Sequence, residues 1–108
     1  MSEYTSIRDE VLAKLTEEMP KLRERFGIRQ LRLFGSVSRS EDTPDSDIDL
    51  LYIFNPESET YDNLFDLHEY LTELFGREVD LISEEWSHAG FLRIALRDAK
   101  TIQAAEGI

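Results

Sequence analysis

Apolar residues recur at intervals of three and four from Ile7 through Val11, Leu15, Met19 and Leu22 to Phe26, which predicts an amphipathic helix over about Thr5 to Phe26. Thr5 or Ser6 can cap its start, Asp9 and Glu10 lie where the helix dipole favours acids, and Gly27 follows as a residue suited to end it. Pro20 has no amide donor and crowds the preceding turn, so a kink or break is expected near Met19. The period then shortens. Arg29 to Phe34 alternates as a strand does, and Gly35-Ser36 turns it into a helix of about two turns ending near Arg39 or Ser40. Glu41 to Ser46 contains Thr-Pro-Asp-Ser, a loop signal. Asp47 to Phe54 reads as a second strand, and Asn55-Pro56-Glu57-Ser58 as the break after it.

Tyr61, Leu64, Phe65, His68, Leu71, Leu74 and Phe75 mark one face of a second long helix, Tyr61 to Phe75, closed by Gly76. Glu78 to Ser83 is a short third strand, and Trp86 or Ser87 to about Lys100 a last helix. Thr101-Ile102-Gln103 can form a brief edge strand before a frayed tail. The order α-β-α-β-α-β-α predicts an α+β fold, a small mixed β-sheet with helices packed on it. With 108 residues the chain fits one small domain, taken as residues 1–108.

Composition narrows the chemistry. There is no cysteine, so disulfides and zinc–thiolate sites are excluded. No apolar run approaches the roughly 20 residues that span a bilayer, and the first residues carry no signal pattern, so a soluble cytoplasmic protein is expected, with no membrane association. The net charge of −11, from 23 acids against 12 bases, disfavours direct nucleic-acid binding and either suits a basic protein partner or simply keeps the chain soluble or reflects the salt inside its host.

Three acids stand out by their context. Asp47 and Asp49, two residues apart at a strand, share a face, while Ile48 and Leu50 point into a core. Asp80 lies between Val79 and Leu81 in an otherwise apolar strand, where an unpaired buried carboxylate costs several kcal/mol. Like charges side by side raise one another's pKa, and a divalent cation removes that conflict; oxygen-only ligands suit magnesium. Gly35-Ser36, at a strand-to-helix turn, lets a ligand approach the backbone and offers free amides and a hydroxyl to an anion. His68 and His88 have no metal-ligand spacing, and His68 is expected as a satisfied core or interface residue. Tyr4, Tyr52, Tyr61, Tyr70 and Trp86 are expected to pack. Asp45, beside Pro44, is kept outside the site.

Gly35-Ser36-x-x-Arg39, then Ser46-Asp47-Ile48-Asp49-Leu50, then Val79-Asp80-Leu81, resembles the minimal nucleotidyltransferase (MNT) family of the polymerase-β-like nucleotidyltransferase superfamily, over nearly the whole chain. Ser38 and Ser40 stand where that family often has Ala and Gly. The resemblance implies ATP as nucleotide donor and two Mg2+ ions. It assigns Asp47 and Asp49 to both metals, and Asp80 to the catalytic metal and to activation of the attacking hydroxyl. The nucleotide side is assigned to Gly35, Ser36, Arg39 and Ser46, with Gly35 and Ser36 on the β- and γ-phosphates. It further implies an antitoxin of the HEPN/MNT type, in a hetero-oligomer with a HEPN-type ribonuclease toxin, transferring AMP to a toxin hydroxyl, a tyrosine. The alternatives are adenylylation of a small molecule and non-catalytic neutralisation of a basic toxin by binding.

Overall fold

The structure, a computed structural model, describes residues 3–104. Helix α1 (Arg8–Phe26) buries Val11, Leu15, Met19, Leu22 and Phe26, the face the spacing predicted. It runs through Pro20 without the break that was one of the two expected outcomes. Pro20 is exposed, on the face opposite the core, so the carbonyl left without its amide partner one turn earlier lies toward water. Gly27 ends the helix in the left-handed conformation (φ 70°).

The start of α1 also departs from expectation. Ile7 occupies the cap position and its side chain has no polar atom, but Ser6, one residue earlier, accepts the amide of Arg8 on its hydroxyl (3.1 Å). Asp42, from a distant loop, supplies a further acceptor. Its carboxylate accepts from the Ile7 amide (3.1 Å), the Tyr4 hydroxyl (2.6 Å) and the Ser6 hydroxyl, and the residue is only 7% exposed. An anion at a helix N-terminus is favoured by the dipole and the unpaired amides.

Strand β1 (Ile28–Phe34) leads into α2 (Gly35–Ser38), a single turn rather than two. Strand β2 (Ile48–Phe54) is followed by a 3-10 turn at Pro56–Ser58 and by α3 (Tyr61–Phe75), whose cap Thr60 accepts from the Asn63 amide. Then come β3 (Val79–Ser83), α4 (Ala89–Ala95) and β4 (Lys100–Thr101). Helix α4 is shorter than its apolar spacing suggested. The Trp86 amide bonds the Ser83 hydroxyl, the Ser87 hydroxyl bonds the Ser83 carbonyl, and His88 caps Gly90, so residues 84–88 form a turn. The brief edge strand is present but lies at Lys100–Thr101 rather than over residues 101–103; the expected fraying falls on residues 105–108, outside those described.

The sheet order is β3-β2-β1-β4, with β1 antiparallel to β2 and β4, and β2 parallel to β3. It is therefore mixed, as predicted. A parallel pair needs a crossover, which α3 provides. Alternation along β2 sends Ile48, Leu50, Tyr52 and Phe54 into the main core with α1, Leu67 and Leu71. Leu51 lies on the other face, in a smaller cluster with Phe34 and Ala95 of α4. The central strand is thus buried on both faces, and polar residues in it stand out.

Burial alone pushes the Asp42 carboxyl up, but the Ser6 and Tyr4 hydroxyls and the Ile7 amide together hold it below its ordinary value. A carboxylate depressed on folding stabilises the native chain above its unfolded pKa, and that contribution is lost as pH falls through the folded value. Asp42→Ala is expected to lower stability by about 1–3 kcal/mol at pH 7. Urea denaturation checks this, and the gap from wild type should close below about pH 4.

Candidate active site

At one end of the sheet, three strands bring three polar positions into a row. Phe34, the last residue of β1, is the cross-strand partner of Asp49, and Asp49 is the partner of Asp80. The chain reversal at Gly35 therefore flanks Asp49 on one side and Asp80 flanks it on the other. Alternation puts Asp49 on the Leu51 face of β2, the face that α4 covers further along.

Gly35 fits this row for a steric reason the sequence did not disclose. Its φ is 79°, and a Cβ there would lie 2.2 Å from Asp49 Oδ2 and 3.1 Å from its Cγ. The missing side chain is the space the Asp49 carboxylate occupies, and positive φ is itself unfavourable for other residues. Ser36 follows directly, partly buried in the first turn of α2.

Asp49 is half-buried, and its carboxyl is pushed up to about 6. Burial is the largest cause, followed by the charge of Asp80, hydrogen bonding with it, and the charge of Asp47; Arg39 acts in the opposite direction. Asp47 stands one residue before β2 and is exposed. Asp80 is also exposed, which corrects the expectation of a buried acid: β3 is the edge strand, so its apolar neighbours do not enclose it. Among the described residues, no group of three or more acids or histidines is gathered to hold a metal ion by itself. What the structure brings together is a close pair, Asp49 and Asp80, with Asp47 near enough to act on it.

The remaining predicted residues divide. Arg39 is within electrostatic reach of Asp49, but its guanidinium bonds Glu41 (2.9 Å) and lies 3.9 Å from Asp98. Ser46 is not turned toward the acids; its hydroxyl accepts from the Thr43 amide and closes the loop before Asp47. Arg77, absent from the sequence-derived set, donates to the carbonyls of Thr43 (3.1 Å) and Ser46 (3.2 Å), and so ties that loop to the start of β3. Its signal was available: Arg77 is the one basic residue between 56 and 90. His68 is partly buried and pairs with Glu78 at 3.1 Å. Tyr52 and Tyr70 pack as expected, whereas Tyr4, Tyr61 and Trp86 are exposed.

Two carboxylates, an unhindered chain reversal and a hydroxyl form a site that can accept an anionic ligand only with a counter-charge between the acids and the anion. Magnesium is commonly held in this way, by one or two carboxylates and substrate phosphates rather than by an all-protein cage. The oxygen-only donor set and the repulsion at Asp49 both fit such an ion.

Known proteins resemble the chain along most of its length. The chain is 38% identical over 90 residues to the protein adenylyltransferase MntA of Thermococcus cleftensis, spanning 83% of this chain and 90% of that protein. A solved minimal nucleotidyltransferase superposes with a TM-score of 0.71 at 36% identity, covering 84% of this chain and 92% of its own. The same fold recurs at 17% identity, with a TM-score of 0.63, in a complex of a tri-AMPylated HEPN toxin from Shewanella oneidensis with its MNT antitoxin; 91% of this chain and 73% of that one are covered. The model of the nucleotidyltransferase domain matches residues 14–105, and on that span, together with the relatives, the chain belongs to the nucleotidyltransferase domain family.

Proposed function

We propose that this nucleotidyltransferase is a magnesium-dependent protein adenylyltransferase. It moves AMP from ATP to a tyrosine hydroxyl of a HEPN-type ribonuclease toxin, with which it forms a hetero-oligomer, and so acts as its antitoxin. The observation that carries this is the row of Gly35, Asp49 and Asp80 across three adjacent strands, with Asp47 beside it. The protein acceptor is supported by the adenylyltransferase relative, and the HEPN partner by the fold shared with the antitoxin of the modified toxin. A net charge of −11 favours a basic protein over direct nucleic-acid contact. No helix of the described residues is long and apolar enough to cross a membrane, in keeping with a cytoplasmic site of action.

In this proposal Asp47 and Asp49 would hold two magnesium ions, and Asp80 would complete the site of one. Bound magnesium would neutralise charge on the phosphates and lower the pKa of the attacking hydroxyl. Gly35 and Ser36 receive the β- and γ-phosphates through backbone amides and the Ser36 hydroxyl. Arg39 faces the same anion when it exchanges its Glu41 contact for phosphate. Ser46 acts on the nucleotide side only by shaping the loop before Asp47. The acceptor hydroxyl approaches from the Asp80 side. Its oxygen forms a bond to the α-phosphorus as the bond to the β-phosphate oxygen breaks; pyrophosphate departs, and the hydroxyl proton passes to Asp80.

Intact-mass spectrometry of the HEPN-type partner, incubated with the chain, ATP and magnesium, is expected to show a gain of one or more AMP units. The gain should vanish with Asp47→Ala or Asp49→Ala. A stable complex without mass change would instead favour neutralisation by binding. Gly35→Ala should reduce transfer at least about 100-fold, because its Cβ takes the space of the Asp49 carboxylate; single-turnover rates with radiolabelled ATP would show it. Folding raises the Asp49 pKa, so native stability falls as pH rises from about 4 through 6. Without metal, and with solvent screening reducing the effect at this half-exposed group, Asp49→Asn should therefore be more stable than wild type by about 1 kcal/mol at pH 8, with the advantage gone near pH 4, as read by urea midpoints.

A further inference from the structure

Nine of the eleven net negative charges fall on one third of the chain: residues 56–90 hold ten acids and one arginine. This stretch builds α3, β3 and the turn after it, one margin of the sheet. β3 is an outer strand, and no other strand among the described residues pairs with its free side. The Glu78 carbonyl and the Glu84 amide both bond toward β2, so alternation turns the peptide groups of Val79 and Leu81, and the amide of Ser83, outward.

Apolar surface accompanies this open edge. A groove of about 460 Å³ lies between α3 and β3, lined by Tyr61, Leu64, Phe65, His68 and β3 itself. It shares Tyr61 and Leu64 with a second hollow, of about 440 Å³, beside Trp86. Tyr61 is 92% exposed, Phe65 63% and Trp86 78%. An unpaired strand edge next to exposed aromatic rings is a template for another chain. The groove also reaches Asp80, whose strand partner is Asp49.

Charge selects the occupant. A second copy would bring two strongly acidic margins together, and nucleic acid or an anionic membrane would be repelled likewise. A small apolar ligand would leave the peptide edge unpaired. The geometry points to an acceptor-docking edge: an extended segment of the partner protein, apolar or aromatic at alternate positions and flanked by lysine or arginine, adds to β3 as a further strand and fills the groove. Main-chain hydrogen bonds give such strand addition its affinity, and pockets for alternate side chains give it specificity. Glu59, Asp62 and Glu69, all exposed, meet the basic flanks. The bound segment runs past Asp80, so docking and delivery of the acceptor hydroxyl use one surface.

The inference rests on the protein-acceptor proposal for the identity of the partner, so its test measures binding and transfer separately. The probe is the HEPN-type partner protein, titrated calorimetrically into the full chain and into Phe65→Glu and Asp62→Lys/Glu69→Lys, with circular dichroism confirming that each variant is folded. Each variant should bind at least tenfold more weakly while keeping its affinity for ATP with magnesium. Amide exchange at Leu81 and Ser83 should slow in the wild-type complex. Unchanged affinity in both variants, unprotected Leu81 and Ser83 amides, or no binding by wild type overturns the inference. So does a concentration-dependent dimer of the free chain that Phe65→Glu abolishes. Weakened binding without AMP transfer by wild type would support the docking edge and refute the transferase proposal; transfer with unchanged variant binding would do the reverse.

Discussion

Asp49 is held between a glycine that makes room for it and a second carboxylate that repels it. Everything around the site serves that placement. The central strand β2 is buried on both faces, so a carboxylate there is short of water, and its neighbours on β1 and β3 decide its state. Desolvation and the charges of Asp80 and Asp47 favour a proton; Arg39 opposes them. A fold that holds a carboxylate against its own preference stores an affinity for positive charge at a fixed point. Preorganised polar groups of this kind are a general source of catalytic power, because their reorganisation is complete before the reaction begins.

The elements that position this row were readable from periodicity. The α1 face, the limits of α3 and the mixed sheet all followed from hydrophobic spacing and glycine stops. The departures share a cause, which is that contacts distant in sequence outweigh local signals. Pro20 suggested a break, yet it lies on the solvent side of a helix fixed by its five buried residues. Ser6 accepts the Arg8 amide as its position suggested, yet the Ile7 amide is met by Asp42, from a loop more than thirty residues away. Helix α4 lost its expected first turn to Ser83 and Ser87.

The candidate site was legible to a similar degree. The acids were visible because carboxylates are unusual in apolar strands, and Gly35 because it stands at a strand end. Spacing could not show that Gly35 and Asp49 compete for the same volume, which needs the register of β1 on β2. Nor could it show that Asp80 lies at an open edge, since strand order is not written in local pattern. Ser46 matched by position but points its hydroxyl into its own loop, whereas Arg77 matched no motif and holds that loop in place.

That loop is clasped at both ends. Asp42 joins it to the beginning of the chain, and Arg77 joins it to the start of β3. Both clasps close over thirty residues or more, and closures of that length come at an entropic cost that local helices do not bear. During synthesis the loop leaves the ribosome well before Arg77 and Asp80 do. Asp49 and Asp80 therefore come side by side only once β3 has joined the sheet, and a chain still short of β3 holds no assembled row of acids.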